Sequence, residues 1–132
     1  MKRFAFLIPV FCLLANPAAA GSSGGSAAEK ASLQAAMFQH IDQQLVRGSF
    51  LHVDFKRGEV EKLSPAKAHP MMLTMGNNYV LCTTFRRQNG TEVNIDFYAA
   101  KKEAGYSIFH TEVNNRGPLM ALIKAGKVKP LK

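Results

Sequence analysis

YVLCTTFRRQNGTEVNIDFYAAKKEAGYSIFHTEV, residues 79–113, decides the fold. It reads as three consecutive antiparallel strands joined by two tight turns. Asn89-Gly90 lies between alternating apolar runs and predicts a two-residue type I′ hairpin, because both central residues of that turn need positive φ. That turn sets Val80 opposite Ala99, Cys82 opposite Phe97, Thr84 opposite Ile95 and Arg86 opposite Val93 on the side read as core. The other side then pairs Leu81 with Tyr98, Thr83 with Asp96, Phe85 with Asn94 and Arg87 with Glu92. At the second turn, Glu103-Ala104-Gly105 predicts a three-residue loop with Gly105 left-handed. This register brings Phe109, Thr111 and Val113 into the core and sets His110 opposite Tyr98 and Glu112 opposite Asp96. A two-residue loop would instead bury Glu112 in the core, which is costly for an unpaired carboxylate.

Upstream, Ser26-Ala27-Ala28-Glu29 has the form of a capping box that opens a helix running to about Arg47. Leu33, Met37, Phe38, Ile41, Leu45 and Val46 recur at helical spacing and form its apolar stripe, and Gly48 supplies the stop. The period then changes to two, with Leu51, Val53 and Phe55 predicted inward. Residues 59–63 read as a short polar edge strand. Pro65 and Pro70 frame a loop at 64–69, and residues 71–75 form a brief strand with Met71, Leu73 and Met75 as core filler. Past Val113, Pro118 marks the first position of a short apolar helix that Gly126 ends, leaving a lysine-bearing tail.

These elements make an α+β domain: an N-terminal amphipathic helix packed on a curved antiparallel sheet of five to six strands, with a short C-terminal helix. The order of elements is like that of cystatin-type and nuclear-transport-factor-type folds. That likeness is of order, not of motif, and transfers no function.

Residues 1–20 have the parts of a secretory signal: Lys2 and Arg3, an apolar run from Phe4 to Ala15, and Ala18-Ala19-Ala20 before the cut. The run is well short of the roughly 20 residues a membrane span needs, so cleavage near Ala20 is expected, with no transmembrane segment afterwards and a periplasmic or secreted location. GSSGG at 21–25 is a flexible linker by composition, and 26–132 is the single domain. Cleavage removes Cys12 and leaves Cys82 without an internal partner, which points to a buried, inert thiol. The formal charge is +8 over the 132 residues. Such a surface favours weak contact with anionic envelope surfaces, whereas nucleic acid is excluded by the lack of aromatic residues among the basic ones.

No nucleophile motif, metal box or nucleotide loop stands in the chain, and no cofactor is implied. The candidate binding face is Thr83, Asp96, Tyr98, His110 and Glu112, which the predicted registers gather on one sheet face with two acids opposite each other. His69 with Met71 and Met75 has soft-ligand character but reads as core. Asn89-Gly90-Thr91 matches a glycosylation acceptor already explained as a turn. The expectation is a small exported, non-enzymatic binding or accessory protein for an unknown ligand or protein partner. The alternative is a hydrolase-type or metal-dependent enzyme built on Asp96, His110 and Glu112.

Overall fold

The structure, a computed structural model, describes residues 25–132. The expected signal peptide and residues 21–24 of the expected linker lie outside the described residues. The fold is α+β, with an open antiparallel sheet of seven strands and two helices. In chain order the elements are α1 (Ala27–Gln44), β1 (Leu45–Val46), β2 (Ser49–Asp54), β3 (Glu59–Met75), β4 (Asn78–Arg87), β5 (Glu92–Lys101), β6 (Tyr106–Val113), α2 (Gly117–Lys124) and β7 (Val128–Pro130). Strands β1 to β6 lie side by side in sequence order, and β7 adds to β3.

The long helix is not N-terminal: it starts at Ala27, after the residues expected to be cleaved. Ser26 caps it, its Oγ accepting from the Glu29 amide at 3.0 Å. The reciprocal arm of the capping box is replaced. The Glu29 carboxylate accepts from the hydroxyls of Tyr79 at 2.7 Å and Tyr106 at 3.3 Å, which ties the start of α1 to β4 and β6. Leu33, Met37 and Ile41 are the buried stripe, and they close a core against Phe50, Leu63, Met72, Leu81, Phe85 and the inward residues of β5. The helix ends three residues early. Leu45 and Val46 pair with Phe50 and Ser49, and Arg47 and Gly48 take φ of 51° and 78°, the two positive values a type I′ turn requires.

At Asn89-Gly90 the expected type I′ turn is absent. Gly90 N–H donates to Arg87 C=O at 3.0 Å and Arg87 N–H to Thr91 C=O at 2.9 Å, so the loop is three residues, a type I turn followed by a left-handed Gly90. Asn89 Oδ1 accepts from the Thr91 amide and hydroxyl at 3.0 and 2.7 Å. The extra residue slips the register by one, and a one-residue slip turns every side chain of β4 to the opposite face relative to β5. Leu81 now opposes Phe97, Thr83 opposes Ile95 and Phe85 opposes Val93 on the core side, while Cys82 opposes Asp96 and Val80 opposes Tyr98 on the other. Arg86, not Arg87, faces Glu92, and Arg87 pairs with Glu61 at 3.0 Å.

The β5–β6 register is the expected one from Ile95↔Val113 to Tyr98↔His110, then shifts at a bulge so that Ala99 faces Ile108. The bulge puts Ile108 against the core and leaves Phe109 55% exposed, against its expected burial. In β2 the phase is also reversed: Phe50 is buried, while Leu51, Val53 and Phe55 are exposed. The expected edge strand, loop and Met strand are one strand, β3, that continues past Pro65 and Pro70 by register shifts between Pro65 and Lys67 and between Ala68 and Met72. Prolines, lacking a donor, sit at such irregularities. Leu73 is buried and Met75 packs beside it, but Met71 is exposed.

The second sheet face carries a smaller core of Leu73, Val80, Cys82, Tyr98, Leu119 and Val128. It is closed by α2 and by the tail, which pairs Val128 to Pro130 with Met75 to Leu73.

Gly90 sits at φ 85° with open space where a Cβ would stand, so Gly90→Ala is expected to cost about 1–2 kcal/mol through the left-handed backbone alone. Urea unfolding with an unchanged slope and a lowered midpoint checks it.

Candidate functional site

On the second face, β5 presents Asp96 and Tyr98, flanked by Cys82 and Val80 of β4 and by Glu112 and His110 of β6. Alternation along the strands delivers this, and it makes Asp96 a buried carboxylate, 1% exposed. A carboxylate in such a place must be paired. The partner is Arg116, at the residue before α2: its Nε donates to Asp96 Oδ2 at 3.2 Å and its Nη2 to Oδ1 at 2.9 Å. Both oxygens are thereby taken, and the hydrogen bonds raise the guanidinium's pKa further. A guanidinium has no acceptor, so Arg116 gives α2 no side-chain cap.

Beside the pair, burial first and then the Asp96 carboxylate push the Cys82 thiol from 9.0 up to about 12. The thiol is therefore neutral near pH 7, and only a thiolate is a nucleophile. Toward β6, His110 Nε2 donates to Glu112 Oε1 at 2.9 Å and Asn115 Nδ2 to Oε2 at 3.0 Å. These bonds, that of His110 foremost, hold the Glu112 carboxyl below its ordinary range. The Tyr98 ring lies 5.3 Å from the His110 ring, and burial, with the charges of Asp96 and Glu112, raises its phenol.

Four of the five residues expected on one face are thus together: Asp96, Tyr98, His110 and Glu112. Thr83 is not among them. The slipped register puts it on the core side, where its hydroxyl donates to Ile95 C=O at 3.1 Å. Two residues join instead, Cys82 by that same slip and Arg116. The signal for Arg116 was available: an acid inside a strand core needs a cation, and Arg116 follows β6 after a short turn.

The face borders a groove of about 510 Å³ between α2 and the middle of β3. Leu73, Cys82 and Leu119 line it, with Met71, Met120 and Ile123. Its polar groups are Lys67, His69 and Arg116, and His69 Nε2 hydrogen-bonds Thr84 Oγ1 at 2.8 Å. A larger hollow of about 650 Å³ between β2 and β6 is lined by a mixture of polar and apolar residues, among them the paired Glu61 and Arg87 and the exposed Leu51, Val53 and Phe55.

Among the described residues no group of three or more His, Cys, Asp or Glu is placed to hold a metal ion, and no helix is long and apolar enough to cross a membrane. No protein-family profile, curated protein or solved structure matches this chain. The thiol beside the groove is protonated, and both oxygens of the acid behind it are held by Arg116.

Arg116→Leu leaves Asp96 buried and unpaired and is expected to cost about 3–5 kcal/mol. Adding Asp96→Leu should restore much of that loss, so a double-mutant cycle by urea unfolding reads the coupling. For Cys82, the folded thiol holds its proton to about pH 12 while the unfolded one loses it near its ordinary 9.0. The unfolded state then binds fewer protons, so this contribution to stability is complete below about pH 9 and falls as pH rises toward 12. A Cys82→Ala chain should show a flatter decline in that window.

Proposed function

We propose that the protein is a small exported, non-enzymatic binding protein, periplasmic or secreted, that holds a ligand with an apolar body in the groove between α2 and β3. The observation that carries this reading is the rim. Met71 is 62% exposed, Met120 55% and Ile123 37%, and all three converge on one hollow. Single exposed apolar residues are ordinary, but a contiguous apolar patch around a cavity marks an interaction site. The volume of about 510 Å³ lies within the range of small-molecule pockets, which pair apolar walls with a few polar groups.

Asp96, His110 and Glu112 have a supporting role in this reading. Their bonds run to one another's neighbours and to Arg116, and so fix the groove's end. The basic surface, +8 over the whole chain and +6 once Lys2 and Arg3 are removed (15 Lys and Arg against 9 Asp and Glu), supports weak contact with anionic envelope surfaces. The order of one long helix before an antiparallel meander adds an analogy with cystatin-type and nuclear-transport-factor-type scaffolds, an analogy of shape that carries no function.

Native mass spectrometry of the protein from its own compartment tests the proposal. The expected species is a chain beginning at Gly21 with a small apolar molecule bound, and Met120→Asp, a change at an exposed position, should lose that molecule while the fold persists. Bare chain from both proteins, together with no uptake of apolar probes, would sink the reading.

A further inference from the structure

The groove has apolar walls, and the charge around it is of one sign. The β3 wall, residues 62–75, contains Lys62 and Lys67 and neither Asp nor Glu. The opposite wall, residues 116–132, contains Arg116, Lys124, Lys127, Lys129 and Lys132 and again no acid. The β4 residues 79–87 beneath them have none either. The nearest carboxylate is Asp96, already held by Arg116 through both oxygens. A guanidinium has five N–H donors, so two bonds to Asp96 leave further donors for an acceptor in the groove. Lys67, His69 and Arg116 are the ionisable side chains lining the cavity, together with the protonated Cys82.

An apolar hollow whose charged lining residues are all cationic complements a ligand with an apolar body and an anionic end. At about 30 Å³ for each water-sized group, about 510 Å³ has room for an alkyl chain of medium length. Because Asp96 neutralises most of Arg116, Lys67 is the one full positive charge on the lining, which suits a monoanion.

Resting on the binding reading above, we infer that the ligand is a single-chain anionic amphiphile of the fatty-acid class. Its tail lies along Leu73, Leu119 and Met120. Its carboxylate meets Lys67 and the remaining donors of Arg116. A charge-assisted contact of this kind amounts to about tenfold in affinity.

Isothermal titration calorimetry of the folded chain with decanoate, decanol and decyltrimethylammonium, each below its micelle concentration, tests the head and the groove separately. Decanoate is expected to bind about tenfold tighter than decanol, with the cation weakest. Lys67→Glu, at an exposed position, should remove that advantage and leave decanol unchanged. Met120→Asp should weaken both decanoate and decanol, and decanoate the more because the new carboxylate repels its head. Equal affinities for the three ligands, or a decanoate affinity indifferent to Lys67→Glu, would overturn the anionic head and leave the groove standing. Binding indifferent to Met120→Asp, or no binding by any of the three, would overturn groove and head together.

Discussion

The arrangement of the second sheet face depends on one buried ion pair, Asp96 with Arg116. Taking a carboxylate out of water costs several kcal/mol even after relaxation, and Asp96 is almost fully enclosed. The bidentate guanidinium offsets that cost only if the chain after β6 turns back over the sheet. It does so at Asn114, whose φ of 51° is left-handed and whose amide donates to Asn94 C=O at 2.8 Å. The pair thus fixes where α2 begins. Leu119 is then set into the small core of Leu73, Val80 and Cys82, and the tail comes within reach of β3 for β7 to form. The groove is the space left between that helix and the shifted middle of β3.

Much of the fold was legible in the sequence because it rests on local periodicity. The helical stripe of Leu33, Met37 and Ile41, the three strands after Tyr79 and Pro118 at the start of α2 follow from spacing and turn residues, whereas His110 and Glu112 keep their expected register because the bulge between Tyr98 and Ala99 offsets a turn that pairs Lys101, not Lys102, with Tyr106. The misreadings of β4 and β2 share one cause, parity. Asn-Gly satisfies a two-residue type I′ turn and equally a three-residue loop in which only Gly90 is left-handed. Local turn chemistry could not separate them. Tertiary packing decides: Phe85 and Leu81 fill space beside Phe97, and the cost of putting Thr83 among them is offset by its bond to Ile95 C=O. In β2 two apolar side chains, with Phe55 just past its end, are exposed so that one, Phe50, can meet the edges of Phe85 and Phe97 at 5.4 and 6.4 Å between ring centres. A count of apolar residues per face favoured the wrong phase because it weighs each equally, whereas packing rewards the aromatic that fits.

The same parity governs the candidate site. With the two-residue turn, Thr83 would stand beside Asp96 and Cys82 would be core filler. The observed loop exchanges them, and an acid next to a hydroxyl becomes an acid next to a thiol. Arg116 lay outside any periodic element, so no strand or helix pattern pointed at it. What could have pointed at it was need: burial of Asp96 required a cation, and Arg116 is the arginine that follows β6.

Cys82 links the ion pair to the groove. Cys82 is 7% exposed, so the floor of the groove is nearly closed to water, and that burial is the first cause that raises its thiol. Such a floor beside a buried carboxylate, with its arginine 35% exposed, gives a cavity where apolar matter is favoured and where a cation keeps more of its strength than it would at the open surface. Opposite demands are thus met within one groove: the wall that excludes water is held in place by the pair whose arginine faces the cavity. Stability and recognition share Arg116, whereas the rim residues Met71, Met120 and Lys67 are exposed and contribute little to the core. Changes at the rim can therefore alter what the groove holds while the ion pair keeps the helix, and with it the groove, in place.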